Sequence, residues 1–414
     1  MDEFASISHW TAGRQSAEWQ QQRGVTLGIG DDTAIIAPAA MADELDGPLE
    51  LLMAVDTMVE TVHFNAYTMT DEDVGYKALA ANVSDIAAMG GVPRHALVSV
   101  SVPAAYGPER IARLYDGLYA CAADYGVAIV GGDTTSSPQH LVVAVTVTGA
   151  VEAGRALRRS GAKPGDAVVL TGAVGLSAAG LHLLLARKQE RQEQAAREAV
   201  ESGVTGGASD TSDTSDTSDT SDTSDTSDTS GTQPAGYLQA ASSAGVSNQA
   251  QHEEVRGAAA LIGAHCRPAP SLRAGRLLLE RGSCNSLNDV SDGLASEAWE
   301  IAEASQCCLM LKEDMLPRSG SMAAYAADVG IDPLEWMLYG GEDYVLLGTM
   351  EAADVQAARE AFHAEGLPFY IVGEVRQGAP SVVLEPSLSA KVDGAAAKGK
   401  CMPLAKRGYN HFKK

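Results

Sequence analysis

The sequence predicts an α/β or α+β protein in two parts, and three observations carry that reading. Apolar strand-like runs alternate with helical runs over most of the chain. Its 414 residues are enough for two domains of ordinary size. The alternation pauses near residues 151–161, which assigns 1–150 to an N-terminal domain and 151–414 to a C-terminal αβ domain.

The elements follow in order. "LELLMAVDTMV" is an apolar strand. "DEDVGYKALAANVSDIAAMGGVPR" is an Ala-rich helix that stops at Gly90-Gly91, with Pro93 beyond. "HALVSVSVP" alternates as a strand. "PERIARLYDGLYACAADYG" is an amphipathic helix with Ile111, Leu114, Leu118 and Cys121 on one face. "AIVGGDT" and "LVVAVTVTGAV" are strands. "KPGDAVVLTGAVGLSAAGLHLLLA" reads as turn, strand, Gly-rich loop and helix. Later come a helix ("SLRAGRLLLER"), a strand ("SLNDV"), a helix ("DGLASEAWEIAEAS") and further alternation. One segment lies outside this pattern. At 209–229 the triplet Ser-Asp-Thr repeats seven times, with no apolar residue to bury. We expect a disordered surface insert over about 188–254; weak Ca2+ capture by its acids is the alternative reading.

Composition excludes some classes. A net charge of -24 and a pI near 4.7 argue against non-specific nucleic-acid binding. They suit a soluble protein that concentrates carboxylates. The opening "MDEFASISHW" lacks a basic-then-apolar leader, and the apolar runs fall well short of the ~20 residues that span a bilayer. The six cysteines form no Cys-x-x-Cys pair. The expectation is a cytoplasmic protein with reduced thiols and no membrane partner.

The carboxylates are the informative residues. Asp31 and Asp32 adjoin in "GIGDDTAII". Asp85 sits inside a helix among Ala81, Val83, Ile86, Ala87, Ala88 and Met89, where a charge is costly unless paired or metal-bound. Asn82 shares its face. Asp56, Asp133 and Asp289 each read as ending an apolar strand, where α/β folds gather ligands. Ser291 and Asp292 follow at a helix mouth, where an ordinary N-cap is the plain alternative. Such a group cannot stay ionised without counter-charge, and few basic residues adjoin it. All-oxygen ligation points to Mg2+ or Mn2+, and such clusters commonly serve phosphate chemistry. "TGAVGLSAAG" is placed to hold a phosphate but lacks the Gly-Lys-Ser/Thr of a Walker A loop. Arg158 and Arg159 are further phosphate candidates, or plain surface.

In chain order, "GIGDDTAII", "VDTMVETVHF", "GYKALAANVSDIAAMGGVP", "IVGGDTT", "RSGAKPGD", "GLSAAGL", "HCRPAPSL", "DVSDGL", "GGEDYVLL" and "GYNHF" resemble the thiamine-monophosphate kinases over nearly all of the chain except the insert. The resemblance implies transfer of the ATP γ-phosphoryl group to thiamine phosphate, giving thiamine diphosphate and ADP, with several Mg2+ ions. It implies the two-domain aminoimidazole ribonucleotide synthetase-like fold, with an N-terminal mixed sheet that forms a homodimer. Position by position, Asp32, Asp56, Asp85, Asp133, Asp289 and Asp292 match metal ligands. Tyr115, Gly132, Asp133, Arg159 and Ser291 match ATP contacts, and His63, Glu342 and Tyr409 match substrate contacts. The plain alternatives for the last three are a packed or surface histidine, a turn carboxylate and a packed tyrosine. Relatives often carry Ser-Thr where this chain has Ala54 and Val55; a hydroxyl contact to a metal would be missing here, whereas a backbone carbonyl contact would survive. No catalytic base is assigned, because a phosphate acceptor with a second pKa near about 6 is already largely ionised. Rival readings are another ATP-dependent enzyme of the fold, such as aminoimidazole ribonucleotide synthetase, or a non-catalytic binder. Selenophosphate synthetase would want a reactive Cys and a Lys before Gly28, and neither is in a Gly-rich loop there.

Overall fold

The computed structural model describes residues 9–29, 34–37, 45, 47–201, 248–387 and 401–407. Asp31, Asp32, Tyr409 and the Ser-Asp-Thr repeat lie outside the described residues.

The N-terminal part begins with α1 (Ala17–Gln21) and a ribbon of β1 (Val25–Leu27) and β2 (Ile35–Ile36). There follow β3 (Leu49–Val59), α2 (Asp71–Ala88), β4 (Val92–Pro103), α3 (Pro108–Tyr125), β5 (Ala128–Ser137) and β6 (Val142–Glu152). The strands form a mixed sheet in the order β3-β6-β4-β5, in which β4 and β5 run parallel. A capping box between Thr70 and Asp73 starts α2. The helix ends where the Gly-Gly signal puts it, with Gly90 at φ +68°. On α3 the expected face of Ile111, Leu114, Leu118 and Cys121 is fully buried.

Cross-strand register sorts the two sheet faces. Asp56 pairs with Val145, which pairs with Val98; both valines are buried, so Asp56 is on the inner, helix-covered face. Thr57, Ala144, Ser99 and Asp133 form the neighbouring row, on the outer face. That face also carries Leu51, Met53, Val55 and Leu97, which are 46–66% exposed.

The C-terminal part contains β7 (Ala167–Leu170), α4 (Leu176–Glu201), α5 (Asn248–Cys266), α6 (Leu272–Arg281), β8 (Cys284–Asp289), α7 (Leu294–Ser305) and β9 (Cys308–Lys312). It continues with α8 (Gly320–Val329), α9 (Pro333–Tyr339), β10 (Leu346–Met350), α10 (Val355–Ala364), β11 (Tyr370–Arg376), β12 (Ser381–Glu385) and β13 (Met402–Pro403). Its sheet order is β13-β12-β9-β11-β7-β10-β8. Each domain has its own apolar core. The seam between them runs along α2. Arg276 of α6 donates to the Gly90 carbonyl at 2.8 Å and grips Glu152 with two bonds of 2.9 and 3.0 Å, which hold the Glu152 carboxyl down at about 2.

Two expectations are corrected. Asp56 and Asp133 do not end their strands, because Thr57–Val59 and Thr134–Ser137 keep pairing beyond them. The insert is also shorter than 188–254, since α4 continues to Glu201 and α5 starts at Asn248. Residues 188–201 are rich in Gln, Glu, Arg and Ala, all good helix formers. Gln189–Glu193 and Gln194–Glu198 bonds of 3.2 and 3.0 Å brace that exposed helix. Among the described residues no helix is long and apolar enough to cross a membrane, and all six cysteines are free.

Helices α2 and α3 touch backbone to backbone. A Cβ at Gly117 would lie 1.8 Å from the Glu72 carbonyl oxygen, and one at Gly75 would lie 1.9 Å from that of Leu114. Gly263 on α5 has open space where its Cβ would be. Gly117→Ala is therefore expected to destabilise by about 1–3 kcal/mol, as overpacking does. Gly263→Ala should stabilise by up to about 1 kcal/mol through helix propensity. Urea unfolding of both variants measures the two opposite signs.

Candidate active site

A cleft of about 750 Å³ opens between the domains, and Asp56, Asp85, Asp289, Ser291, Asp292, His63 and Glu342 all line it. Each reaches it by a local device. The Asp56 amide donates to Asn82 Oδ1 at 3.0 Å, and Asn82 Nδ2 donates to the Ala78 carbonyl at 2.9 Å. Buried Asn82 thus ties edge strand β3 to α2, and Asp85, on the same helix, opens to the cleft. Asp289 ends β8, as expected, and accepts from Ser84 Oγ at 2.7 Å.

Burial raises all three acids, and the charge of Asp56 adds to the rise of Asp289 and of Asp85. Asp85 is pushed up to about 8, first by burial and then by the charges of Asp289 and Asp56, against a pull from Arg159. Asp289 is pushed up to about 6 by burial, which the Ser84 bond opposes and Asp56 reinforces. Surrounding protein raises Asp56 as well, although its side chain stays open to the cleft. Arg159 stands behind them, on a second cavity of about 540 Å³ that Asp85 and Asp289 also wall. It is partly committed elsewhere: its Nε donates to Asn288 Oδ1 at 2.9 Å, and its Nη1 pairs with Glu300 at 2.9 Å.

Among the described residues no three His, Cys, Asp or Glu side chains converge as a ready-made metal cage. A hard divalent cation on phosphate needs only one or two carboxylates, with water and phosphate oxygens completing its shell. Oxygen-only acids raised by mutual repulsion fit that use.

At the other end of the cleft Glu342 sits in an irregular turn at φ +64°, and its amide donates to the Ser291 carbonyl at 2.7 Å. Its Oε2 lies 2.6 Å from Lys77 Nζ and 3.5 Å from His265 Nδ1. Burial alone would raise its pKa, but the charge of Lys77, foremost, and the Lys77 bond hold it below the usual carboxylate range. Burial, and then Lys77, push His265 down to about 4. His63 Nδ1 accepts from the Val59 amide at 2.9 Å, which leaves the neutral ring's proton on Nε2.

Other nominated residues lie apart. Asp133 is on the opposite face of the sheet from Asp56. Gly132 has a packing reason, since a Cβ there would be 1.8 Å from the Val98 carbonyl oxygen. Tyr115 is buried in the N-terminal core, stacked on Trp10 with ring centroids 5.8 Å apart. The Gly-rich loop is corrected as a phosphate cradle. The amides of Gly175 and Ser177 at the start of α4 donate to buried Asp343 at 2.6 and 3.1 Å, so the anion held there is the protein's own.

Sequence reasoning missed Lys77, His265 and Asp343. The argument that singled out Asp85 applies equally to Lys77, a charge among the same alanines two turns earlier on α2. His265 in "GAHCR" carries no comparable signal.

AIR synthase related protein, N-terminal domain, matches residues 30–151, and AIR synthase related protein, C-terminal domain, matches 231–385. The thiamine-monophosphate kinase of Bacillus subtilis (strain 168) is 36% identical over 391 residues, 94% of each chain. The crystal structure of thiamine-monophosphate kinase from Stenotrophomonas maltophilia K279a is 27% identical with a TM-score of 0.64, over 92% of this chain and 96% of that one. A structure of AaThiL complexed with AMPPCP and TMP is 26% identical with a TM-score of 0.61, over 88% of each. Near-complete coverage in both directions, at that identity and with both domains in order, makes this chain a member of the thiamine-monophosphate kinase family.

Proposed function

We propose that this chain transfers the γ-phosphoryl group of ATP to thiamine phosphate, giving thiamine diphosphate and ADP, with Mg2+ as counter-charge. One observation carries the reading: in a member of this family, three mutually repelling acids, Asp56, Asp85 and Asp289, line the cleft between the domains. A relative complexed with AMPPCP and TMP supports ATP and thiamine phosphate as the ligand pair.

Mg2+ held there would neutralise the donor and acceptor phosphates and let two anions approach. Asp56 and Asp289 offer oxygens from strands, Asp85 from a helix, and Asp292 from the mouth of α7. Arg159 and Ser291 serve the nucleotide. His63 and Glu342, at the far end, recognise the thiamine moiety. A phosphate acceptor needs no strong base, and none is assigned. Asp32 as a metal ligand and Tyr409 as a substrate contact complete the reading.

We also infer a homodimer formed through the outer face of the N-terminal sheet. The support is a contiguous apolar row, Leu51, Met53 and Val55, beside Leu97 on the same face. Asp133 shares that face, so a second copy laid on it would enclose Asp133 in the interface. The role of Asp133 as a metal ligand belongs to this dimeric reading; Gly132 and Tyr115 as ATP contacts rest on the family resemblance alone. Free thiols and an ATP substrate favour the cytoplasm.

Two measurements check these statements. ADP release should require both Mg2+ and thiamine phosphate, and Asp85→Asn should lower kcat on the order of 10²-fold or more while leaving the fold intact. ATP consumption indifferent to thiamine phosphate, or a normal kcat in Asp85→Asn, contradicts the mechanism. Light scattering should report twice the 42.9-kDa chain mass, and Met53→Lys should reduce it to one chain. A parent protein at a single chain mass contradicts the dimer.

A further inference from the structure

A lysine ammonium with none of its side chain exposed is an unusual object, and Lys77 is one. It comes from the N-terminal domain, on α2, and its partner Glu342 comes from a turn of the C-terminal domain 265 residues away. Such a pair is weak support for folding, because desolvating both charges offsets their attraction, and apolar residues of similar volume often serve as well. The backbone at Glu342 is also held at φ +64°, where a side chain is disfavoured, a condition that clusters at functional sites. His265 adds a further cost, since its Nε2 is buried without a hydrogen-bond partner. These unfavourable features converge on one carboxylate that reaches the cleft with 28% of its side chain exposed.

We propose that Lys77 is a positioning residue for acceptor recognition, holding Glu342 ionised and oriented so that one carboxylate oxygen serves the substrate. The contacts from Lys77 and His265 both fall on Oε2. Oε1 is the oxygen left to face a ligand. A carboxylate oxygen fixed in a cleft wall selects a cationic or amino-bearing heteroaromatic ring, and disfavours a ring without a donor, which leaves Oε1 without a partner. His265, kept neutral beside Lys77, adds a dipole without competing as a cation. This role rests on the reading of thiamine phosphate as the acceptor.

The test is steady-state kinetics of Lys77→Met across pH 6–8. The KM for thiamine phosphate should rise about 10-fold or more, the scale of a lost charge-assisted contact, while kcat and the KM for ATP stay near the parent values. The acceptor phosphate and the cleft acids titrate across this range in both proteins, so the readout is the ratio of the Lys77→Met KM to the parent KM at each pH. In Lys77→Met, Glu342 keeps its burial and loses its counter-charge, so it is protonated at the acid end, and that ratio should fall as pH rises. Where the single variant folds poorly, Lys77→Met with Glu342→Gln removes the orphaned carboxylate, and the ratio of its KM to the parent KM should be high and the same at every pH. A parent-like KM, or equal losses toward ATP and acceptor with no pH dependence, overturns the positioning role. A parent enzyme indifferent to thiamine phosphate overturns the functional reading itself, and this role with it.

Discussion

Repulsion among three carboxylates organises this molecule. Asp56, Asp85 and Asp289 come from β3, α2 and β8, two from one domain and one from the other. They line one cleft, and a partly committed arginine, Arg159, stands behind Asp85 and Asp289. Burial first, and then neighbouring carboxylate charge, raise Asp85 to about 8 and Asp289 to about 6, so without a cation the cluster holds protons. Bringing them together requires a firm seam. Arg276 on Glu152 and Gly90, Ser84 on Asp289 and Lys77 on Glu342 all cross it. The Asn82 clamp supplies the third dimension by fixing the edge strand to the helix.

The two ends of the cleft place carboxylates in opposite states. Asp85 lacks a nearby cation with two hands free and is held neutral, ready to exchange a proton for a metal ion. Glu342 is equally enclosed, but an ammonium at 2.6 Å keeps it ionised. The difference lies in the neighbour and not in the acid. One end is suited to collecting metal and phosphate, the other to holding an organic cation. This division is what a kinase needs when its acceptor carries a phosphate at one end and a charged ring system at the other.

Much of this was legible in the sequence, for identifiable reasons. Strands and helices with strong periodicity, such as "HALVSVSVP" and the Ile111–Leu118 face of α3, lie where the pattern puts them. Asp85 was legible because a charge among alanines violates a local rule. Strand ends were not: a charge interrupts each apolar run at Asp56 and Asp133, yet the ladder continues through Thr57, Met58 and Val59 in one strand and through threonines and serines in the other. The polar helix over 188–201 was hidden because it buries little and is held by propensity and side-chain pairs. Sheet faces and the Asp343 cap depend on register and on contacts between distant segments, which no single stretch of sequence carries.

The account stands on acids that hold protons until a cation replaces them. Titrating the protein with Mg2+ by calorimetry at pH 7, in buffers of different ionisation enthalpy, measures that exchange directly. Since burial and mutual repulsion raise Asp85 to about 8, its carboxyl is largely protonated at pH 7, and cation binding must expel that proton. The account predicts net proton release at pH 7 that fades above about pH 9, as the group ionises unaided, and that shrinks in Asp85→Asn. Binding heats that do not vary with buffer, or no binding at millimolar Mg2+, would contradict it.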